Sequence, residues 1–463
     1  MARGARYLDV LRSLPREVWL ACLYHVFDAY ASFVISLNLT IYLVTEFHLS
    51  DVQAGLYYGI WGVLSVAFGI PAGIYIDRIG LERSLWIGTS VSFLGRLVFA
   101  FSDNLYLTLA SLFLCVTSGS ALLDPAIHIV VDRYSGSEEA KTFAFGVLYA
   151  SMNFGALCAA LLTDRLKDVI WLLSGYKLLF ASGVLATVSS LPLVFAYINS
   201  QHRKAHQVCD HSDASEESEE EQSKNPLKES AFWHLLAITV IMLPVRAMFR
   251  YADTLLPLYL TRIYEDAPYG SLIAINPSLI IPLSILFGFA TKRFTNVYLM
   301  LVVGTLISAL SALILFVFYN TSNYWNIVAF FVVFTIGEAI YSPKTYQYIL
   351  ARSPKGKKGI YGALIQIPTF AGSILSGVYS GFLLENYCPS AEETTRCNQI
   401  GIWVMVSALA TPLLLLAGYR FFNTSYVVLE EETEGIELDS SESLETIVKT
   451  AYSPATSDEQ FDQ

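Results

Sequence analysis

Apolar stretches of about 20 residues, long enough to cross a bilayer's hydrocarbon core, recur along the chain between short polar breaks. The first six cover 17–44, 52–76, 84–101, 105–131, 142–162 and 169–198. A polar stretch, 199–230, then interrupts. It contains Ser215-Glu-Glu-Ser-Glu-Glu-Glu-Gln-Ser223, a composition that cannot bury a core and is expected to stay disordered. Six more apolar segments follow at 232–260, 269–290, 297–318, 325–350, 360–384 and 402–422. The pattern predicts an all-α membrane protein of twelve transmembrane helices in two six-helix halves, 17–198 and 231–422. A head (1–16), a linker (199–230) and a tail (423–463) complete the expected organisation. The first apolar segment is too long for a cleavable signal core, so it reads as the first membrane helix.

Composition agrees: 54% of residues are hydrophobic and only 15% charged, against about 25% charged in soluble proteins. The net charge of −11 is mostly local, because residues 423–463 hold eleven acids and one lysine. It is a solvated tail, and nothing points to nucleic acid. Lysines and arginines concentrate in alternate loops. With the head inside, the inner segments hold Arg78, Arg83, Arg133, Lys141, Lys292, Arg293 and others, and the outer loops only Arg165, Lys167, Arg262 and Arg396. The bias places both termini in the cytoplasm. Cys388 and Cys397 then share an outer loop, where thiols oxidise; they read as a disulfide or as two free cysteines. Asn320-Thr-Ser322 offers a glycan acceptor in another outer loop. No nucleophile–base pair, metal-ligand spacing or phosphate loop stands out, so no enzyme activity, metal or cofactor is expected.

Ionisable residues within spans are costly and functional by default. Glu338 sits mid-span in Gly337-Glu338-Ala-Ile-Tyr341-Ser342-Pro343, and can carry a proton, pair with a cationic group on a solute, or form a structural ion pair. In the seventh span Arg246, Arg250 and Asp253 share one helical face, between Pro244 and Pro257, which can bend it. Arg250 and Asp253 can pair at i, i+3, leaving Arg246 towards a cavity or another helix. Asp28 in the first span is a second candidate for proton coupling. Arg96 needs a partner that the sequence does not identify. Asp124 and His128 share a face near the inner end of the fourth span, suited to gating, structure or solute contact. Lys177 and Lys344 lie nearer helix ends, where they can snorkel.

The loop Gly73-Ile-Tyr-Ile-Asp77-Arg78-Ile-Gly80-Leu-Glu-Arg83 resembles the loop between helices 2 and 3 of the major facilitator superfamily. The six–linker–six layout agrees with that likeness. The resemblance implies that Asp77, Arg78, Gly73 and Gly80 brace an inward-closed state, with Asp124 and Arg133 at the same end. Gly73 would let two helices approach closely, and Gly80 would supply a turn that other residues resist. Within the superfamily, three further segments are similar to the proton-coupled oligopeptide transporters. They are Phe145 to Gly155, with Tyr149 and Asn153; Ile275-Asn276-Pro277; and Gly337-Glu338 with Ser342-Pro343. Leu49-Ser-Asp51 to Gly59 fits the start of that family's second helix. The resemblance implies that Glu338 binds a peptide's amino terminus. Two positions depart from it. The first span keeps only Asp28 and His25 where the family has paired glutamates and an arginine, and Asp124 precedes Pro125 where the family has a lysine.

These readings lead to a secondary active transporter of a small polar solute, peptide- or amino-acid-like, with proton coupling resting on Asp28 and Glu338. Organic anions drawn to Arg96, Arg246 and Arg250 are an alternative. Sugars or drugs are another, and Tyr361, Gln366, Asn153 and Tyr149 can serve any of these solutes. A different class, a non-transporting membrane sensor or adaptor, rests on the linker and tail. There Tyr426-Val-Val-Leu429 weakly matches a sorting signal that trafficking adaptors would read. The plasma membrane is the default location, and the tail keeps an endosomal or lysosomal one open.

Overall fold

The computed structural model describes residues 14–135, 138–169, 175–208, 230–264, 266–290, 296–352, 367–389 and 396–422. It divides into Met1–Leu413 and Leu414–Gln463. In the second unit, the described residues 414–422 are the end of one helix and a further helical turn.

The elements are α1 (Arg16–Phe47), α2 (Asp51–Ile79), α3 (Leu81–Phe101), α4 (Leu105–Tyr134), α5 (Glu138–Leu166) and α6 (Gly175–Val208). Three segments, α7 (Ser230–Ile241), α8 (Leu243–Thr254) and α9 (Leu256–Ile263), then replace one continuous span. They are followed by α10 (Tyr269–Ile273), α11 (Ile275–Ala290), α12 (Val297–Ser311), α13 (Leu313–Val317), α14 (Trp325–Ala351), α15 (Ile367–Tyr387) and α16 (Gln399–Ala417). Nine described helices are long and apolar enough to cross a membrane, and ten if α7 and α8, bent by 44° at their junction, form one span. The bend falls where Pro244 enters the first turn of α8, because proline removes a helix donor and clashes with the preceding turn.

Local chemistry sets several boundaries. Ser50 caps α2 by accepting from Gln53 N, while the Gln53 side chain returns to Ser50 N; this reciprocal cap satisfies two donors that the first turn leaves free. At the far end of α2, Gly80 adopts φ +86°, a conformation that a Cβ resists. The turn is where the sequence places it. In α4, Ser111–Val116 winds as a π-turn. The extra residue advances every following side chain by about 100° around the axis, which no sequence period foretold. α6 runs to Val208, ten residues into the expected linker, because Gln, Arg, Lys and Ala after Ser200 favour helix once a span has nucleated it. The acidic run 215–223 is outside the described residues.

One close crossing appears twice. In α3 and α4, a Cβ at Gly119 would collide with Ser92 and stand 2.8 Å from the Gly88 carbonyl. In α12 and α14, a Cβ at Gly337 would collide with Ser308 and stand 2.7 Å from the Gly304 carbonyl. The third and fourth spans and the ninth and tenth therefore cross by the same glycine–serine device.

The helices before and after the linker meet along α2–α15 and α5–α10. Both seams are tight at one end: a Cβ at Gly55 would collide with the Gly377 carbonyl, and one at Gly270 with the Ala160 carbonyl. Both open towards the other end. Among the described residues, no atom lies within 4 Å of a Cβ built at Gly69, Gly73 or Gly146. The expected close approach at Gly73 is not seen among the described residues. There, the close glycine contacts of α2 lie at its opposite end, at Gly55 and Gly59.

Candidate functional site

The tight end is held by polar groups that reach across the seam. Arg262 of α9 grips both carboxylate oxygens of Asp51 in α2, at 2.9 and 2.6 Å, and donates to the Cys388 carbonyl at 2.7 Å. This planar fork-to-carboxylate geometry is among the stronger ion pairs available to proteins. A disulfide joins Cys388 to Cys397 at the end of α15. Lys167 donates to the Ala267 carbonyl at 2.7 Å, and Asp164 accepts from the backbone N–H groups of Gly270 and Ser271. Tyr269 donates to Asn38 at 2.7 Å.

One helical turn deeper, Asp253 of α8 is a crossing point. Its Oδ2 accepts from Ser36 (2.7 Å) and Tyr58 (2.8 Å), while Arg250 pairs with the same oxygen at 3.3 Å. The sequence suggested that Arg250 and Asp253 pair with each other, and they do. It gave no hint that Asp253 also ties α8 to α1 and α2. Serine and tyrosine are common in apolar spans, so Ser36 and Tyr58 carried no signal.

Towards the middle, the charges fall into two groups. In the first, Asp28 of α1 pairs with Arg96 of α3 at 2.8 Å, with both side chains buried. Arg96 also donates to Ser32 and Thr187, each at 2.8 Å, so the partner missing from its sequence reading is Asp28. Nearby, the His25 ring lies edge-on to His128 at 6.3 Å, and His128 stacks against Phe145 at 6.1 Å. His128 Nδ1 is 2.7 Å from the Asp124 carbonyl. Asp124 feels the charges of Asp28 and Arg96, yet its side chain is exposed. It is accessible and lies close to the buried Asp28–Arg96 pair at once.

In the second group, Glu338 of α14 is buried and accepts from Asn276 of α11 at 2.8 Å. Asn276 also donates to Thr335 at 3.0 Å. Arg246 of α8 lies over the Tyr341 ring at 5.4 Å and within the electrostatic reach of Glu338. The Asn-Pro and Gly-Glu segments, 62 residues apart, are thus one hydrogen-bonded unit. Asn153 turns its amide back to the Tyr149 carbonyl at 2.9 Å. Gln366 and Tyr361 are outside the described residues, as is the side chain of Asp77. Arg78 and Arg133 are exposed at the parted end. Lys177 pairs with Asp103. Asn320 accepts from Ser322 N at 2.6 Å in the loop after α13.

The chain belongs to the Major Facilitator Superfamily, whose family model matches residues 21–377 and again 247–454. It is similar to the uncharacterized MFS-type transporter YttB of Bacillus subtilis, at 24% identity over 363 residues, covering 77% of this chain and 85% of that one. The probable vesicular acetylcholine transporter-A of Danio rerio is 32% identical over 117 residues, which are 25% of this chain and 22% of that protein. The chain thus matches less than a quarter of the length of this vesicular relative. A crystal structure of a POT family transporter in complex with 5-aminolevulinic acid superposes with a TM-score of 0.72 at 14% identity, covering 88% of this chain and 97% of that one. Another, the POT family transporter PepTSo, gives 0.69 at 13% identity over 89% of this chain. The architecture is the major facilitator fold of a multi-pass membrane protein.

Proposed function

We infer that this protein is a secondary active transporter that moves a small polar solute by alternating access. The observation that carries the reading is the pair of seams, latched at one end and, among the described residues, free of close glycine contacts towards the other, around a central set of buried charges. Alternating access needs such a pair of ends. The lysine and arginine bias makes the parted end cytoplasmic, so this is the inward-open state with both termini inside. Glu338, held by Asn276 and facing Arg246, is the leading group for solute or proton binding. Asp28 supports proton coupling, and Asn153 and Tyr149 are further candidates for solute contact. Gly73, Asp77, Arg78, Gly80 and Arg133 would brace the inward-closed state, and the exposure of Arg78, Gly80 and Arg133 fits a brace that is released here. Asn320 is an outer-loop glycan acceptor. The plasma membrane is the default site, and Tyr426-Val-Val-Leu429 is the segment that trafficking adaptors would read.

The test is uptake by purified protein in proteoliposomes, offering a dipeptide library with and without an inward proton gradient. Gradient-driven uptake that Glu338→Gln reduces by at least tenfold is expected; indifference to both gradient and mutation would remove Glu338 from the mechanism.

A further inference from the structure

Among the buried acids described above, four have protein partners: Asp28 with Arg96, Asp51 with Arg262, Asp253 with Arg250, and Glu338 with Asn276. Asp124 is different. Among the described residues, its carboxylate accepts no hydrogen bond and joins no ion pair; only its backbone carbonyl is engaged, by His128. Arg96, the cation among the described residues whose charge reaches it, already makes its contact with Asp28. An accessible carboxylate beside a neutralised pair leaves a local excess of negative charge.

A second observation points to a ligand at the same place. His25 is 7% exposed, and its Nδ1 has no hydrogen-bond partner. A buried polar atom without a partner costs about 1–3 kcal/mol, and a bound group is one of the few things that offset that cost. The His25 ring meets His128, one helical turn from Asp124, and Phe145 of α5 covers the other face of His128. Aromatic faces favour cations through the ring quadrupole. Among the described residues, no set of three His, Cys, Asp or Glu side chains is arranged to hold a metal ion. One carboxylate a helical turn from a cluster of aromatic rings suits an organic ammonium group better than an inorganic ion, which needs several oxygen or nitrogen ligands.

We propose that Asp124, with His25, His128 and Phe145, forms a cation subsite that takes the ammonium group of an organic solute. The subsite deepens the transporter reading and rests on it for the entry of solute from the parted end. Asp124 supplies the charge, the unpaired His25 nitrogen a hydrogen bond, and Phe145 the wall.

A thiol at position 128 reads the subsite directly. In full-length protein with Cys22, Cys115, Cys158 and Cys209 replaced by serine, His128→Cys is labelled with a trimethylammonium methanethiosulfonate or its sulfonate counterpart. A focused negative field raises local cation concentration by about tenfold or more, so labelling by the cationic reagent, relative to each reagent's rate with a free thiol, is expected to lead by that factor. Adding Asp124→Asn should bring the two reagents to within about threefold of each other, and Asp124→Glu should keep the lead. Choline, agmatine and tryptamine should slow labelling in the Asp124 protein, and succinate should not. A ratio unmoved by Asp124→Asn, faster anionic labelling, or no protection by any of the three amines overturns the subsite. The last outcome, with the charge preference intact, would leave Asp124 as a proton site. Uptake in proteoliposomes separates the two levels: charge preference without any transport would sink the transporter reading, and transport without charge preference would sink the subsite.

Discussion

Arg96–Asp28 and Arg262–Asp51 are both arginine–carboxylate pairs taken largely out of water, at 2.8 and 2.6 Å. The first joins α1 to α3, inside one group of helices. Serine and threonine from α1 and α6 also accept from the same guanidinium. The second joins α2 to α9, across the seam between the two groups, and its guanidinium also holds the carbonyl of a disulfide-bonded cysteine. A pair of the first kind can persist through a transport cycle, because nothing around it has to separate. A pair of the second kind must break each time the latched end opens. The Coulomb attraction is alike in both; what differs is whether the two charges ride on elements that move together. Asp253 belongs with the second kind, since Ser36 and Tyr58 approach it from the other side of the seam.

That difference can be broken experimentally, and the largest effect should come from the pair inside one group. Arg96→Met leaves Asp28 buried without its counter-charge, which costs about 3–5 kcal/mol. Thermal unfolding in detergent should show a large drop, and a wild-type melting temperature would mean the pair is not structural. Arg262→Gln should act mainly on the balance of states. With the latch weakened by about 1.4 kcal/mol, the population opened at that end rises about tenfold. Spin labels at Glu46 and Asn386, exposed on either side of the latched end, would report a longer distance; an unchanged distribution would show that the pair does not hold the end shut. The smallest effects sharpen the contrast along a single helix. Gly55→Ala forces a methyl group against the Gly377 carbonyl and should open the same end, at a cost of about 1–3 kcal/mol. Gly73→Ala meets open space and should leave stability within about 1 kcal/mol, on the favourable side because alanine suits a helix better than glycine. Equal effects at the two glycines would contradict the closed-and-parted geometry.

The hydropathy pattern located the spans to within a few residues at most ends, because the bilayer requires about 20 apolar residues per crossing whatever their neighbours are. It also located Gly80, whose positive φ follows from a local turn, and the bend at Pro244. It was less informative for the breaks at Met242, Leu255 and Ala274 and for the π-turn in α4. These depend on what packs alongside. Gly73 misled for a related reason: a small residue permits a close crossing but does not create one, and the crossing belongs to Gly55 and Gly377.

For the candidate site, the charges themselves were conspicuous in the sequence. Asp28, Arg96, Arg246, Arg250, Asp253, Glu338 and Asp124 stood out because ionisable groups are rare within spans. Their pairing was not legible. Asp28 and Arg96 are 68 residues apart, Ser36 and Asp253 217 apart, and Asp51 and Arg262 211 apart. The sequence by itself determined that this chain crosses a membrane repeatedly, in two sets of helices with charges buried between them, because the energy of burial in hydrocarbon is set residue by residue. Only the tertiary structure decided which charges neutralise one another, which join helices across the seams, and which carboxylate is left exposed. Those outcomes depend on a few ångströms between distant helices, over which an ion pair forms or fails.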